Sequence, residues 1–214
     1  MQMKYLVILL SILSVAILYG ISLQTQTPYV TLDNLSKYNQ QTVTTNATVI
    51  NNYISSYGQQ TITLRYINNS NVTEAFVIIE EPIETQYGDI IQVTGTVQEY
   101  KGDWEILVDN PNTVTLLKEW NKTYLPLSQL ASHPTHYMGI NINTSGTIDR
   151  IYDHYFYLID ETGEHTIVCY ADYEHSSYLY EGATVELLGF FTYHEQTLRY
   201  IIDIDQPYHF IQEI

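Results

Sequence analysis

The chain has 214 residues, with 24 acidic and 8 basic side chains and a formal charge of −16. That balance opposes a surface built to neutralise phosphates, because nucleic-acid affinity draws largely on Lys and Arg; it leaves a solvated acidic surface or a site for cationic partners. The lone Cys169 excludes an intrachain disulfide, and 21 tyrosines within an aromatic content of 13% favour strands over helices.

After Met1 to Lys4 the run Tyr5 to Leu23 carries no charge. Its length is close to the ~20 residues that span a bilayer as a helix. The run reads as an uncleaved signal anchor rather than a signal peptide, because it is long and only Gly20 and Ser22 offer a cleavage site. A helix buried in a soluble core is the third reading. Lys4 precedes the run and no basic residue follows until Lys37, so the positive-inside rule puts residues 1–4 in the cytoplasm and 24–214 outside. The expected localisation is the cell membrane, single-pass, with the later domains extracytoplasmic. Sequons at Asn34, Asn46, Asn68, Asn71, Asn121 and Asn143 agree with export and are candidate glycosylation sites.

Residues 24–31 form a polar spacer containing Pro28. A first repeat, 32–117, then reads as strands at Thr42–Val49, Thr61–Tyr66, Ala75–Ile79, Asp89–Glu99 and Trp104–Val108, from alternation of apolar and polar residues and from turn clusters between them. Residues 118–136 read as a linker with a short helix. A second repeat, 137–214, has strands at Ile140–Arg150, His154–Asp160, His165–Tyr170, Val185–Thr192 and Leu198–Asp203. Gly88 and Gly95 recur as Gly182 and Gly189, 94 residues on, and Ala47-Thr-Val49 matches Gly146-Thr-Ile148. Before each first strand lies a helical signature, Leu32 to Leu35 and Leu127 to Leu130.

Five strands with a glycine inside the fourth predict a small closed barrel, since a tightly coiled strand needs a position without a Cβ. A two-sheet sandwich usually needs more strands than each repeat supplies. The run from Gly88 through Trp104 to Leu117, together with Thr42 to Val49 and their second copies, resembles OB-fold domains of the anticodon-binding-like nucleic-acid-binding superfamily. The resemblance implies an all-β chain of two tandem five-stranded OB-type barrels behind one transmembrane helix. It also implies single-strand binding through a basic groove and stacking aromatics; the aromatics are present and the basic groove is not.

No GxGxxG, Walker, GxSxG, HExxH or CxxC motif occurs, which argues against an enzyme and for no cofactor. Tyr152, Tyr155, Tyr157 and Trp104 form a candidate aromatic binding face, to which Tyr170, Tyr173, Tyr178 and Tyr180 could add; the same tyrosines could instead pack in the core or between the repeats. His133 and His136 lack the further ligands of a metal site. Asp203 with Asp205, and Asp109 with Asn110, are weak Ca²⁺ candidates that also suit strand ends. The layout is similar to the haem chaperone of cytochrome c maturation, whose motif of His or Cys, three residues, then Tyr appears at His133 to Tyr137 and Cys169 to Tyr173. The leading expectation is a non-enzymatic, membrane-anchored binding or scaffold protein for an envelope protein or glycan. Single-stranded nucleic-acid binding, disfavoured by charge, and haem carriage are the alternatives.

Overall fold

Period-two alternation builds the first barrel. In the computed structural model, which describes residues 10–19, 27–69, 71–172 and 178–214, strand β1 spans Thr42–Ile54 and buries Val43, Thr45, Ala47 and Val49 on one face. It is followed by β2 (Gln60–Asn68), β3 (Asn71–Ile79), β4 (Ile90–Tyr100), β5 (Asp103–Val108) and β6 (Val114–Lys118). The order β1-β2-β3-β5-β4 closes through pairing of β1 with β4, and β3 and β5 are parallel. Closure removes the open sheet edges that invite aggregation. Leu32 and Leu35, on a 3-10 helix at Leu32–Tyr38, complete the core beside Val43, Ile62, Leu64 and Ile91.

The second barrel repeats this plan. Strands β7 (Ile140–Ile151), β8 (Tyr155–Ile159), β9 (Thr166–Ala171), β10 (Thr184–His194) and β11 (Arg199–Ile204) run β11-β9-β8-β7-β10 and close through β10 and β11, with β12 (Phe210–Glu213) added on β10. Phe156 and Phe191 are its largest fully buried side chains, and helix α2 (Leu127–Ser132) contributes Leu127 and Leu130. The expected fold class is therefore what the chain adopts: two tandem five-stranded barrels of OB type.

Register also matches the sequence alignment. Ala47 faces Ile91 and Gly146 faces Val185, so the alignment of β1 with β7 and the 94-residue offset of β4 and β10 agree. Each first strand serves two neighbours and bends where it changes partner. β1 pairs with β4 up to Thr48 and with β2 from there on, with a bulge at Ile50; β7 has the same irregularity at Asp149. A bulge re-aims the side chain it frees. Ile50 points out of its own barrel and packs against the core of the second, whereas Asp149 is exposed. A Cβ on Gly95 would run into the Leu107 carbonyl, and one on Gly189 into Ile202, so both glycines answer the close approach of the fifth strand.

One expectation is overturned. Among the described residues no helix is long and apolar enough to cross a membrane. Residues 10–19 form a helix, α1. At 1.5 Å per residue this described stretch covers about 15 Å, half of the ~30 Å hydrocarbon core. The rest of the predicted span, 5–9 and 20–23, lies outside the described residues, as do the N-terminus 1–4 and residues 24–26 of the spacer. The single-pass cell-membrane placement built on that span falls with it.

The segment 118–136 is ordered against both barrels. A 3-10 turn at Trp120–Lys122 buries Trp120, Tyr124 bridges to Asn143, and α2 is followed by α3 (Pro134–Tyr137). The Trp120 N–H donates to Asp89 Oδ1 at 3.1 Å, its indole Nε1–H donates to Gln86 Oε1 at 2.6 Å, and Asp89 Oδ2 accepts from the Gln86 N–H at 2.8 Å. On the other side Trp120 meets Tyr208 and His209 of the second barrel edge-on. Arg65 of β2 joins the two halves again, paired with Glu74 at 3.0 Å and donating to the Met138 carbonyl at 2.7 Å.

Candidate functional site

Strand β8 reads Tyr-Phe-Tyr-Leu-Ile, and the barrel core takes Phe156 and Leu158. Tyr155 and Tyr157 must then face outward. Tyr170 of β9 stands directly opposite Tyr155, with ring centroids 5.7 Å apart. Tyr152, in the β7–β8 turn, stacks on Tyr155 at 4.7 Å and an interplanar angle of 20°, and meets Tyr157 edge-on at 6.2 Å. Beyond Tyr170 the His194 ring extends the row at 5.7 Å. At the other end the Arg150 guanidinium sits 4.6 Å over Tyr157, a cation–π contact. The result is a row of contacting rings along the outer face of β8 and β9, with one cation at its end.

Arg150 is not a free charge. Asp149 pairs with it at 3.0 Å and, with that hydrogen bond as the main cause, holds its already high pKa higher still. The row is therefore close to neutral at that end. The hairpin beneath it is fixed by Asp160, whose Oδ1 accepts from Thr162 Oγ1 at 2.9 Å and the Glu164 N–H at 3.1 Å, while Oδ2 lies 2.7 Å from His165 Nδ1. Burial pushes the Asp160 pKa up, but the hydrogen bonds from His165, Thr162 and Glu164 outweigh it and carry the carboxyl down to about 2. A depressed carboxyl stabilises the fold above its ordinary 3.8, and that contribution is lost as pH falls towards 2. Asp160→Asn should therefore destabilise the protein at neutral pH and converge on wild type as the pH nears 2; a cost in urea unfolding that is independent of pH would refute this.

The repeat isolates what is particular to this face. Register makes Thr61 and Thr63 the counterparts of Tyr155 and Tyr157, and Ile78 the counterpart of Tyr170. The barrel is duplicated and the ring row is not. Of the four predicted aromatic residues, Tyr152, Tyr155 and Tyr157 come together; Trp104 lies on β5 of the first barrel and packs against that core. Tyr170, one of the further tyrosines expected for such a surface, belongs to the face, and so does Arg150, which the sequence alone does not point to. Strict alternation in β8 was the available signal for the outward tyrosines; the placement of Arg150 needs the bulge.

The other candidates scatter. Cys169 is fully buried, burial pushes its thiol well above the usual range, and Tyr173 lies outside the described residues. A haem held covalently at Cys169 has no path to the sulfur. His133 and His136 stack on each other at 5.1 Å at the α2–α3 junction. Among the described residues no three His, Cys, Asp or Glu side chains gather as a metal site. Asn110 caps a 3-10 turn by accepting from the Asn112 N–H, and Asp109 precedes it at a strand end. Of the sequon asparagines, Asn68 and Asn71 are exposed and Asn34, Asn46 and Asn121 are half-buried. Asn143 is buried and corrects that expectation: its Nδ2 donates to the Asn121 carbonyl at 3.0 Å and to Glu186 Oε1 at 2.9 Å, leaving no room for a sugar.

No family model matches the sequence, and no curated protein is similar to it. Among solved structures the chain is similar to a candidate aspartyl-tRNA synthetase from Leishmania major Friedlin, 17% identical over 46% of this chain and 22% of that one, with a TM-score of 0.36. The chain thus spans about a fifth of that protein's length. It is also similar to the second OB-fold domain of replication protein A from Methanococcus maripaludis, 22% identical over 38% of this chain and 88% of that one, TM-score 0.27. A third likeness is to the single-stranded DNA binding protein from Thermus aquaticus, 11% identical over 81% and 93% of the two chains, TM-score 0.29.

Proposed function

We propose that this protein is a non-catalytic binding module that holds single-stranded nucleic acid against the tyrosine row of its second barrel. The observation that carries this reading is the contacting set Tyr152, Tyr155, Tyr157 and Tyr170 on the outside of β8 and β9, closed by Arg150. OB barrels bind oligonucleotides on the face of their second and third strands, and β8 and β9 hold those positions here. Bases stack on such rings whatever their sequence, for about 1–3 kcal/mol per base.

The charge balance shapes the binding mode. With a formal charge of −16 and Arg150 already paired to Asp149, few phosphates are neutralised. Affinity should rest on stacking and fall only gently as salt rises, since the salt slope counts neutralised phosphates. The test is anisotropy of a fluorescent single-stranded oligonucleotide titrated with the full chain across a salt series, with Tyr155→Ala and Tyr157→Ala beside it. Each substitution should cost about 1–3 kcal/mol of binding and leave thermal stability nearly unchanged. No binding at the lowest salt would sink the reading, as would binding indifferent to both substitutions. An oligosaccharide that displaces the oligonucleotide and binds more tightly would reassign the rings to glycan. Turnover of the nucleic acid, abolished by a point mutation, would overturn the non-catalytic part.

A further inference from the structure

Between the barrels lies a cleft of about 460 Å³. Its walls are aromatic: Tyr87 of the first barrel and Phe190 of the second stand 5.9 Å apart at 49°, and Tyr208 closes the far side. Its charge is one-sided. Asp203 and Asp205 line it, and no lysine or arginine does among the described residues. Asp203 is half-buried there, and burial, followed by the neighbouring charge of Asp205, pushes its pKa up. The Ile204 N–H and the nearby His194 work the other way and are outweighed, so burial and the second carboxylate dominate.

A second observation, independent of the acids, points to an occupant. Asn141 lines the same cleft and is 2% exposed. The Gln206 N–H donates to His209 Nδ1 at 3.2 Å, so the neutral imidazole carries its proton on Nε2. That Nε2–H donates to Asn141 Oδ1, also at 3.2 Å, which fixes the amide's orientation. Asn141 Nδ2 is left buried with no acceptor among the described residues. A buried donor without a partner costs about 1–3 kcal/mol unless something supplies the acceptor. Such a group calls for an explanation, and an acceptor brought by a ligand in the adjoining cleft supplies one.

We propose that this cleft binds a small guanidinium compound that also carries an acceptor oxygen. The planar cation would lie against the Tyr87, Phe190 and Tyr208 rings, its N–H groups on Asp203 and Asp205, with the oxygen taking the Asn141 amide hydrogens. A guanidinium suits the setting better than an ammonium, because it stacks on aromatic faces and pairs with carboxylates through two parallel hydrogen bonds. The cleft volume falls in the range of small-molecule sites, and a boundary between two domains is a common place for one. This inference does not rest on the nucleic-acid reading, although the two sites adjoin: Asp203 stands beside Tyr170 where β11 pairs with β9.

The test is calorimetric titration of the full chain with L-arginine and with L-citrulline, its neutral isostere of nearly the same shape. L-Arginine should bind, and L-citrulline should bind about tenfold or more weakly, because it forfeits the cation–π and charge-assisted contacts. Asp203→Asn should reduce arginine affinity by about tenfold or more, and Phe190→Leu should weaken it while preserving the fold by circular dichroism. The oligonucleotide affinity of Phe190→Leu should match wild type; Asp203 stands beside Tyr170 and is not used as that control. Equal binding of arginine and citrulline would overturn the proposal. So would the absence of arginine binding at millimolar concentration, or an Asp203→Asn protein that binds arginine as wild type does.

Discussion

Trp120→Ala should lower unfolding free energy by about 3–5 kcal/mol, the range for emptying a buried tryptophan site. Trp120 belongs to a stretch whose composition predicts a linker, yet it is 4% exposed. Its indole N–H holds Gln86, and its ring edge meets Tyr208 and His209 of the other barrel. Alanine would keep the backbone bond to Asp89 but open a cavity at the joint and strand the Gln86 carbonyl oxygen. Urea unfolding followed by far-ultraviolet circular dichroism measures the loss, and Trp120→Phe should recover part of it by refilling the volume. A cost below about 1 kcal/mol would mean that the joint contributes no more than an ordinary surface site.

The second large effect is expected at Gly88, and the repeat supplies its control. Gly88 and Gly182 hold the same turn in their barrels, with φ of +98° and +90°. Each donates its N–H to the first strand, to the carbonyl of Val49 or of Ile148, at 2.7 and 2.8 Å. Alanine at either site meets the left-handed backbone penalty of about 1–2 kcal/mol. Only at Gly88 would the new Cβ also strike the other barrel, 2.7 Å from the Asn141 carbonyl oxygen and 2.9 Å from Trp120 Cβ; at Gly182 nothing is near. Gly182→Ala should therefore cost about 1–2 kcal/mol and Gly88→Ala about 3 kcal/mol or more. Equal losses for the two, in the same denaturation assay, would show that the barrels part without cost.

The strands were legible because a barrel wall with one dry face imposes period two, and the residues obey it from Val43 to Ile204. Gly95 and Gly189 were legible for a related reason: a close approach of backbone leaves a glycine inside a run of larger residues. β6 and β12 were not, because neither has an alternating pattern to read: four of the five residues of β6 are exposed, and β12 buries only Ile211. The apolar run at 5–23 has the composition of a span, and its described part is the helix at 10–19. Tyrosine count alone could not separate rings in the core from rings outside it. The row on β8 needed the register of β7 through β9, and Arg150 reaches it only because a bulge precedes it. The joint between the barrels is illegible in one repeat taken alone, since it is made where the copies differ.

That difference has a consequence for assembly. The first barrel meets the second through unlike surfaces, a heterologous contact of the kind that propagates into filaments when every unit offers both halves. The apolar half is Ile50, freed by the bulge in β1. At the corresponding bulge in β7 the second barrel offers Asp149, exposed and paired with Arg150, and its Gly182 turn is bare. A third barrel would meet a charge where the second met an isoleucine. The contact that joins these two barrels is therefore not one that the second barrel offers again.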